Sequence, residues 1–420
     1  MNGWIEHIMN NNTSHTGNSN RSVSANQMAG CLIITGDGNL VIQLSSDQSP
    51  EEIAANFELV TVWALRSIET GIPGLSEDLP RQEAEDIEQL LSQGNAVLLT
   101  GIAGSGKSNI ALASIRIAEG QKPVLFFDAR RLLGGGTPDF IDFAAVLLSM
   151  IRKLSTDGGC RVVIDQIDNI VGSPELTGVL ALAQDCADME SVEILVISRH
   201  TPADNAFLYN GEKDVRQDLL KAGFHEVVSQ ELDATRVQKL FNDLAIPAPS
   251  ESLIELGRNL LHLRLIAQIK QHQSDFDFSK ILTEIDLWDG FIEVIRRAEN
   301  PAPGANNGLA LIEYAERLAQ EGLQSSDYSV RYDATNQQYF RLESWRILRR
   351  ESPHICFFTH DNMQDFLYAR GAAINGNMPD TIYEVIGTHR ARSVIVWTEK
   401  LYARHNPMLL IPFLEEVFRD

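Results

Sequence analysis

Gly101, Gly106, Lys107 and Ser108 stand in the stretch LLTGIAGSGKSNIALASI, with four residues between the two glycines. Such a loop can turn its backbone N–H groups, those of Ala103, Gly104, Ser105 and Asn109 among them, around the phosphates of a nucleotide. Lys107 would reach the β and γ oxygens, and Ser108 can ligate Mg²⁺. A second stretch, RVVIDQID, ends an apolar run at Asp165, where a carboxylate can hold the other side of the Mg²⁺ shell. Asp168, three residues on, has two readings: it orients an attacking water, or it is an ordinary turn or cap carboxylate. VEILVISRH ends a further apolar run at Ser198-Arg199. An arginine there either senses a γ-phosphate or makes a surface ion pair. Far along the chain, ICFFTHDNMQDFLYAR places His360 and Asp361 between a strand-like run and an amphipathic helix. Taken alone, Asp361 with Gln364 suits a helix capping box, and His360 has no task.

These residues need a strand–loop–helix scaffold, and the pattern supplies one. NAVLLTG, PVLFFDA, RVVIDQ, VEILVIS and HEVVS are short apolar runs separated by segments with helical spacing. Near-continuous apolar strands with helical crossovers predict a parallel sheet covered on both faces. Before it, residues 10–27 are polar and of low complexity, a flexible lead-in. CLIITGDGNLVIQL then reads as a β-hairpin turning at Gly36-Asp37-Gly38-Asn39, followed by a helix within residues 50–70. From Leu232 onward the pattern is mainly helical, with ICFF the clearest later strand. The apolar, helix-like ending LLIPFLEEVFRD carries the expectation that the natural protein continues.

Composition narrows the class. The chain has 420 residues, a net charge of −22 and 44% hydrophobic residues, enough for real cores and an acidic surface that repels nucleic acid and anionic membranes. Four cysteines without CxxC spacing argue against zinc or a disulfide scaffold. No apolar run has membrane-spanning length, and the start lacks a signal pattern, so a cytoplasmic protein is expected.

Taken together, these motifs resemble the STAND class of P-loop NTPases, the signal-transduction ATPases with numerous domains that include NACHT and NB-ARC proteins. The resemblance runs from about Leu79 to Ala373. LPRQEAEDIEQLL looks like the segment that packs on adenine and ribose, with Arg81 at the family's arginine position. GIAGSGKS, VVIDQID and ILVISR match the phosphate loop, the magnesium strand and the strand ending in Ser-Arg. HEVVSQELDATRVQKLF and ELGRNLLHLRLIAQI look like the last sheet strand and the small helical domain, and FFTHDNMQDFLYAR like the winged-helix segment with its His-Asp. The resemblance implies an α/β P-loop NTPase followed by a helical and a winged-helix domain. The expected units are a flexible start (1–30), a hairpin-plus-helix element (31–78), the NTPase domain (79–231), a helical domain (232–290), a winged helix (291–375) and the start of a helical extension (376–420). It also implies an ATP/ADP switch with slow hydrolysis and Mg²⁺, in which His360 contacts the β-phosphate of ADP and holds a closed state. ATP would open it for self-association in response to an unknown activating ligand or protein, with bacterial signalling or antiphage defence as the setting.

Gln166 and Asn169 depart from the family's usual residues beside the two aspartates and suit slow hydrolysis. Gly257-Arg258-Asn259-Leu260 lacks the family's Gly-x-Pro, which leaves that nucleotide contact open. Thr359 stands where one branch has methionine. The arginines of RLESWRILRR and HRAR suit ion pairs or an oligomer interface better than DNA. Two rival readings follow: an AAA-type initiator or loader ATPase working on DNA, and a non-hydrolysing scaffold that keeps ADP.

Overall fold

The computed structural model describes residues 31–34, 40–43, 48–65, 68, 71–75, 79–118, 120–132, 140–171, 173–199, 215–300, 306–325, 328–352, 354–375 and 390–417. The polar stretch 10–27 and the hairpin's turn lie outside them. The hairpin strands are β1 (Cys31–Ile34) and β2 (Leu40–Gln43), paired antiparallel, and helix α1 (Pro50–Leu65) follows.

From α2 (Gln82–Ser92) the chain alternates: β3 (Val97–Thr100), α3 (Lys107–Ile117), β4 (Val124–Asp128), α4 (Phe140–Thr156), β5 (Cys160–Asp165), α5 (Glu175–Ala187), β6 (Val192–Ile197), α6 (Val215–Lys221) and β7 (His225–Val228). The five strands form one parallel sheet in the order β4-β5-β6-β3-β7. Side chains alternate between its faces, as a period of two requires. Leu98, Val162, Ile164, Ile194 and Val196 pack with α1, α4 and α5, whereas Val97, Leu99, Val163, Leu195 and Ile197 pack with α2 and α3. Both faces are covered, so β3 to β6 are largely apolar, with charge confined to positions near their ends such as Arg161, Glu193, Asp128 and Asp165. This sheet, with a glycine loop between β3 and α3, is the architecture of a P-loop NTPase.

Helix α1, grouped by sequence with residues 31–78, packs into this core. Its Ile53 and Phe57 are fully buried, and the Thr61 hydroxyl donates to Val124 O at 2.5 Å and accepts from Phe126 N at 2.9 Å along β4. The helix thereby covers the sheet's edge at β4, an edge that would otherwise be open to pairing with other chains.

The remainder is mostly helical: α7 (Ala234–Asp243), α8 (Glu251–Gly257), α9 (Leu260–His272), α10 (Glu284–Ala298) and α11 (Asn307–Gln324). A small antiparallel sheet of β8 (Val330–Arg331), β9 (Leu348–Ser352) and β10 (Ile355–Phe358), in the order β8-β10-β9, encloses α12 (Gln337–Ser344) in sequence. Helices α13 (Asp361–Asn375), α14 (Ala391–His405) and α15 (Pro407–Val417) complete the described chain. One apolar core runs from Leu232 to Leu401, joining α7 through α14. Met363, Phe366 and Leu367 lie in it, the buried face that the helical spacing predicts.

Candidate nucleotide site

Gly104 and Gly106 adopt positive φ values of 78° and 91°, where a Cβ is unfavourable. A Cβ on Gly104 would also stand 2.5 Å from Asn259 Oδ1. Gly106 caps α3 without a side-chain hydrogen bond, so the first-turn N–H groups of Lys107, Ser108 and Asn109 have no capping side chain. The loop and helix end therefore offer backbone donors and the positive end of the helix dipole.

A cavity of about 240 Å³ lies over this loop. Lys107, Ser108, Asp165, Asp168, Arg199 and His360 all line it, as do Ala103, Gly104, Gly106, Asn109 and Arg81, so the structure brings residues from five separated stretches to one space. Ile68, Ile72, Leu79, Leu260 and Leu261 give it an apolar side. Asn109 and Thr359 also line it, and their Oδ1 and Oγ1 atoms are buried with no hydrogen-bond partner among the described residues. Orphaned buried polar atoms of this kind call for a polar ligand.

Lys107 Nζ donates to Gly101 O and Ile102 O, each at 2.9 Å. Burial pulls its ammonium down to about 8 against the opposing pull of Asp168. An ammonium held by two carbonyls in such a place fits an anionic ligand. Ser108 Oγ donates to Asp165 Oδ2 at 2.8 Å. Burial, and then the charge of Asp128 beside it, push the Asp165 carboxyl up to about 7. Asp128 and Asp165 are register partners at the ends of β4 and β5. The Ser108 hydroxyl and the Asp165 carboxylate, side by side at the loop, are the oxygen donors that fit a divalent cation. Among the described residues no group of three or more His, Cys, Asp or Glu could hold a metal ion.

The raised Asp165 has a consequence for stability. Its folded pKa exceeds the unfolded carboxylate value, so the native chain binds the extra proton and loses stability as pH rises from about 4 to about 7. Asp165→Asn removes that burden while keeping a hydrogen-bond partner for Ser108. Without Mg²⁺ at pH 8 the variant should melt about 2–4 °C or more above the parent, with the gap closing towards pH 4. A lower melting temperature at pH 8 would contradict this assignment.

Asp128 and Arg130 were not expected from the sequence. The Asp128 carboxylate accepts from Arg130 N at 2.9 Å, from its Nε at 3.1 Å and from Nη2 at 2.6 Å, and from Gln166 Nε2 at 3.2 Å. Gln166 in turn accepts from Asn169 Nδ2 at 2.7 Å. Gln166 and Asn169 thus tie β4 to the turn after β5. The acidic end of PVLFFDAR was the available signal, since Asp128 ends a strand as Asp165 does.

Asp168 accepts from the backbone N of Arg199 at 3.0 Å and pairs with its Nε at 3.2 Å. The same guanidinium pairs with Asp361, and Arg130 Nη1 reaches Asp361 Oδ1 at 3.3 Å. Asp361 is 8% exposed in its side chain and is shared further by Asn169 Nδ2 at 3.4 Å. The capping box suggested by Asp361 and Gln364 is therefore not what forms. The Asp361 carboxylate faces arginines, and backbone N–H groups of Met363 and Gln364 close on His360 O. Burial, then the charge of Arg264, hold His360 down at about 3. Arg264 Nη1 lies 3.3 Å from His360 Nε2. A guanidinium only donates, so Nε2 accepts and the neutral ring carries its proton on Nδ1.

Arg81 lines the cavity, but its hydrogen bonds run to the loop's support: to Ser105 O at 3.0 Å and to Gln230 O at 2.6 Å. Asn259 stands two residues after Gly257, just before α9. Its Nδ2 donates to Ala103 O at 3.0 Å, and its Oδ1 caps α9 by accepting from Leu261 N at 3.0 Å. The start of α9 is thereby pinned to the phosphate loop.

No family model and no curated protein matches this sequence. Among solved structures, the chain is similar to Orc1 of Aeropyrum pernix in complex with DNA at 14% identity and a TM-score of 0.36, over 75% of this chain and 98% of that one. A STAND protein with a tetratricopeptide repeat sensor from Pyrococcus horikoshii matches at 11% identity and 0.41, over 84% of this chain and 54% of that one. AMPPCP-bound DnaA from Aquifex aeolicus matches at 11% and 0.36, over 80% and 92%. Similarity this low leaves the function to be argued from the chain's own residues.

Proposed function

We propose that this chain is an ATP/ADP switch of the STAND type, closed with ADP and opening with ATP to self-associate, with slow hydrolysis. The observation that carries the reading is the position of the His360-Asp361 turn. It forms the cavity wall together with the phosphate loop, and Asp361 occupies the arginine best placed to meet a γ-phosphate. In this reading the loop amides from Gly101 to Asn109 and Lys107 bind phosphates. Ser108 and Asp165 hold Mg²⁺, which when bound neutralises charge between the β and γ phosphates. Asp168 positions water and Arg199 senses the γ-phosphate only after leaving Asp361. His360, neutral and accepting from Arg264, donates through Nδ1 to the ADP β-phosphate. Arg81 and Asn259 keep the loop in shape.

Residues 291–375, with α11, α12, α13 and the β8-β10-β9 sheet, would act as the winged helix that moves. Arg341 and Arg349 pair with Glu299 and Glu351, which supports internal pairing over a DNA surface. No helix among the described residues is long and apolar enough to cross a membrane. Bacterial signalling or antiphage defence follows from the resemblance alone, with the activating ligand or protein still to be identified.

The test is to denature the purified protein and identify the released nucleotide by chromatography. The parent should release stoichiometric ADP, and His360→Ala should release clearly less. An empty parent, or a variant that keeps ADP as well as the parent does, would return His360 to a structural role.

A further inference from the structure

Arg390 precedes the first residue of α14 and is fully buried. A guanidinium out of water costs several kcal/mol unless its donors are met. Its hydrogen bonds run to the first turns of α13, and its guanidinium also lies over the Tyr328 ring, 5.3 Å from the centroid. Nη2 donates to Asp361 O at 2.7 Å and to Asp365 Oδ1 at 2.5 Å, Nε donates to Asp365 Oδ1 at 2.8 Å, and Nη1 lies 3.3 Å from Asp361 Oδ1. The fully buried Asp365 already balances the charge. The remaining contacts hold Asp361: a hydrogen bond to its backbone O and an ion pair at Oδ1, the oxygen that Arg130 also reaches, while Arg199 pairs with Oδ2.

Helix α14 is seated from outside as well. Lys400 pairs with Glu284 at 2.5 Å, Arg404 with Asp286 at 2.8 Å and His405 with Asp289 at 2.8 Å, all along α10. Trp397 packs against Trp288 and Phe366, with ring centroids 5.6 and 5.2 Å away. Lys400, Arg404 and His405 are exposed while Glu284, Asp286 and Asp289 are more sheltered, so the basic half of the seat can be reached from the surface. Arg390 cannot stay behind when α14 lifts, because it is that helix's N-cap and its carbonyl accepts from Val394 N at 3.1 Å.

We infer that Arg390 is a positioning residue that couples the docking of α14 to the nucleotide site, so that unseating α14 and releasing Arg199 from Asp361 are one event. The inference rests on the switch reading above and names its regulation: a signal received by α14 acts through Arg390 and Asp361. Both ends bias one two-state contact, which is the physical requirement for coupling. Coupling is reciprocal, so ATP in place of ADP should loosen α14.

The test follows release of a fluorescent ADP analogue by stopped flow. Arg390→Gln should speed release by about tenfold, and Arg390→Lys, which keeps the charge but not the fork, by less. Lys400→Glu with Arg404→Glu, on the exposed face and away from the cavity, should also speed release, and it decides the matter alone if Arg390→Gln does not fold. In an Arg199→Gln background, Arg390→Gln should add less than about twofold, whereas a purely structural role would add its full effect. Amide exchange in residues 391–405 should be faster with ATP than with ADP. Acceleration by Asp361→Asn with none from the Arg390 and α14 variants, or full additivity with Arg199→Gln, would overturn the coupling and leave the switch standing. Unchanged release from Asp361→Asn would overturn the switch reading itself.

Discussion

Lys107→Ala is expected to bind ADP at least about thirtyfold more weakly than the parent by calorimetric titration. Removing the charged partner of a buried phosphate contact costs about 2–5 kcal/mol. The same substitution should not lower the melting temperature of the nucleotide-free protein. Lys107 is held by two carbonyls in a place that pulls its ammonium down to about 8, so the lysine is a burden on the fold that only an anion relieves. The pH dependence carries a second sign. Mg²⁺-nucleotide affinity should rise as Asp165 ionises through about 7 and fall as Lys107 loses its proton above about 8. Parent-like affinity in Lys107→Ala would refute phosphate binding at this loop.

Asp361→Asn is expected to open the molecule. The substitution keeps shape but leaves Arg130, Arg199 and Arg390 facing a neutral amide. Breaking one side of a buried ion-pair network costs roughly 3–5 kcal/mol. Shifting a switch from 1:99 to 99:1 requires roughly 5.5 kcal/mol, so this one change supplies most of it. Asp128 still holds Arg130 and Asp168 still holds Arg199, which keeps the effect short of the full range. Size-exclusion chromatography with ATP should show a larger species at concentrations where the parent stays small, together with faster ADP release. A variant of parent size and parent release rate would remove Asp361 from the closed-state contacts.

His360 alone cannot play the same part. Its ring is neutral at physiological pH, so it contributes one hydrogen bond rather than a charge pair. The unfolded imidazole protonates near its ordinary value, whereas the folded one resists until about 3. Native stability is therefore lost as pH falls below about 6.5, so acid should loosen this turn.

What the sequence determined by itself was local. The glycine spacing before Lys107, the apolar runs ending at Asp165 and Arg199, and the buried stripe of Met363, Phe366 and Leu367 are set by backbone conformation and by periods of two and 3.6 residues. All of these formed as the pattern required. The hairpin and the five parallel strands were legible for the same reason. Which strands are neighbours was not, because a crossover helix can carry the chain to either side of a sheet. Only the order β4-β5-β6-β3-β7 places Arg199 between the phosphate loop and Asp165, and only it sets Asp128 beside Asp165. The partners of Asp361 lie far from it in sequence on separate elements, with Arg199 162 residues away. Its apparent capping role was the best local reading until those arginines arrived. Arg81 and Asn259 likewise act on the loop through contacts that no spacing encodes. Local geometry chose the chemistry, and long-range packing of charged groups out of water decided which of those groups are free to use it.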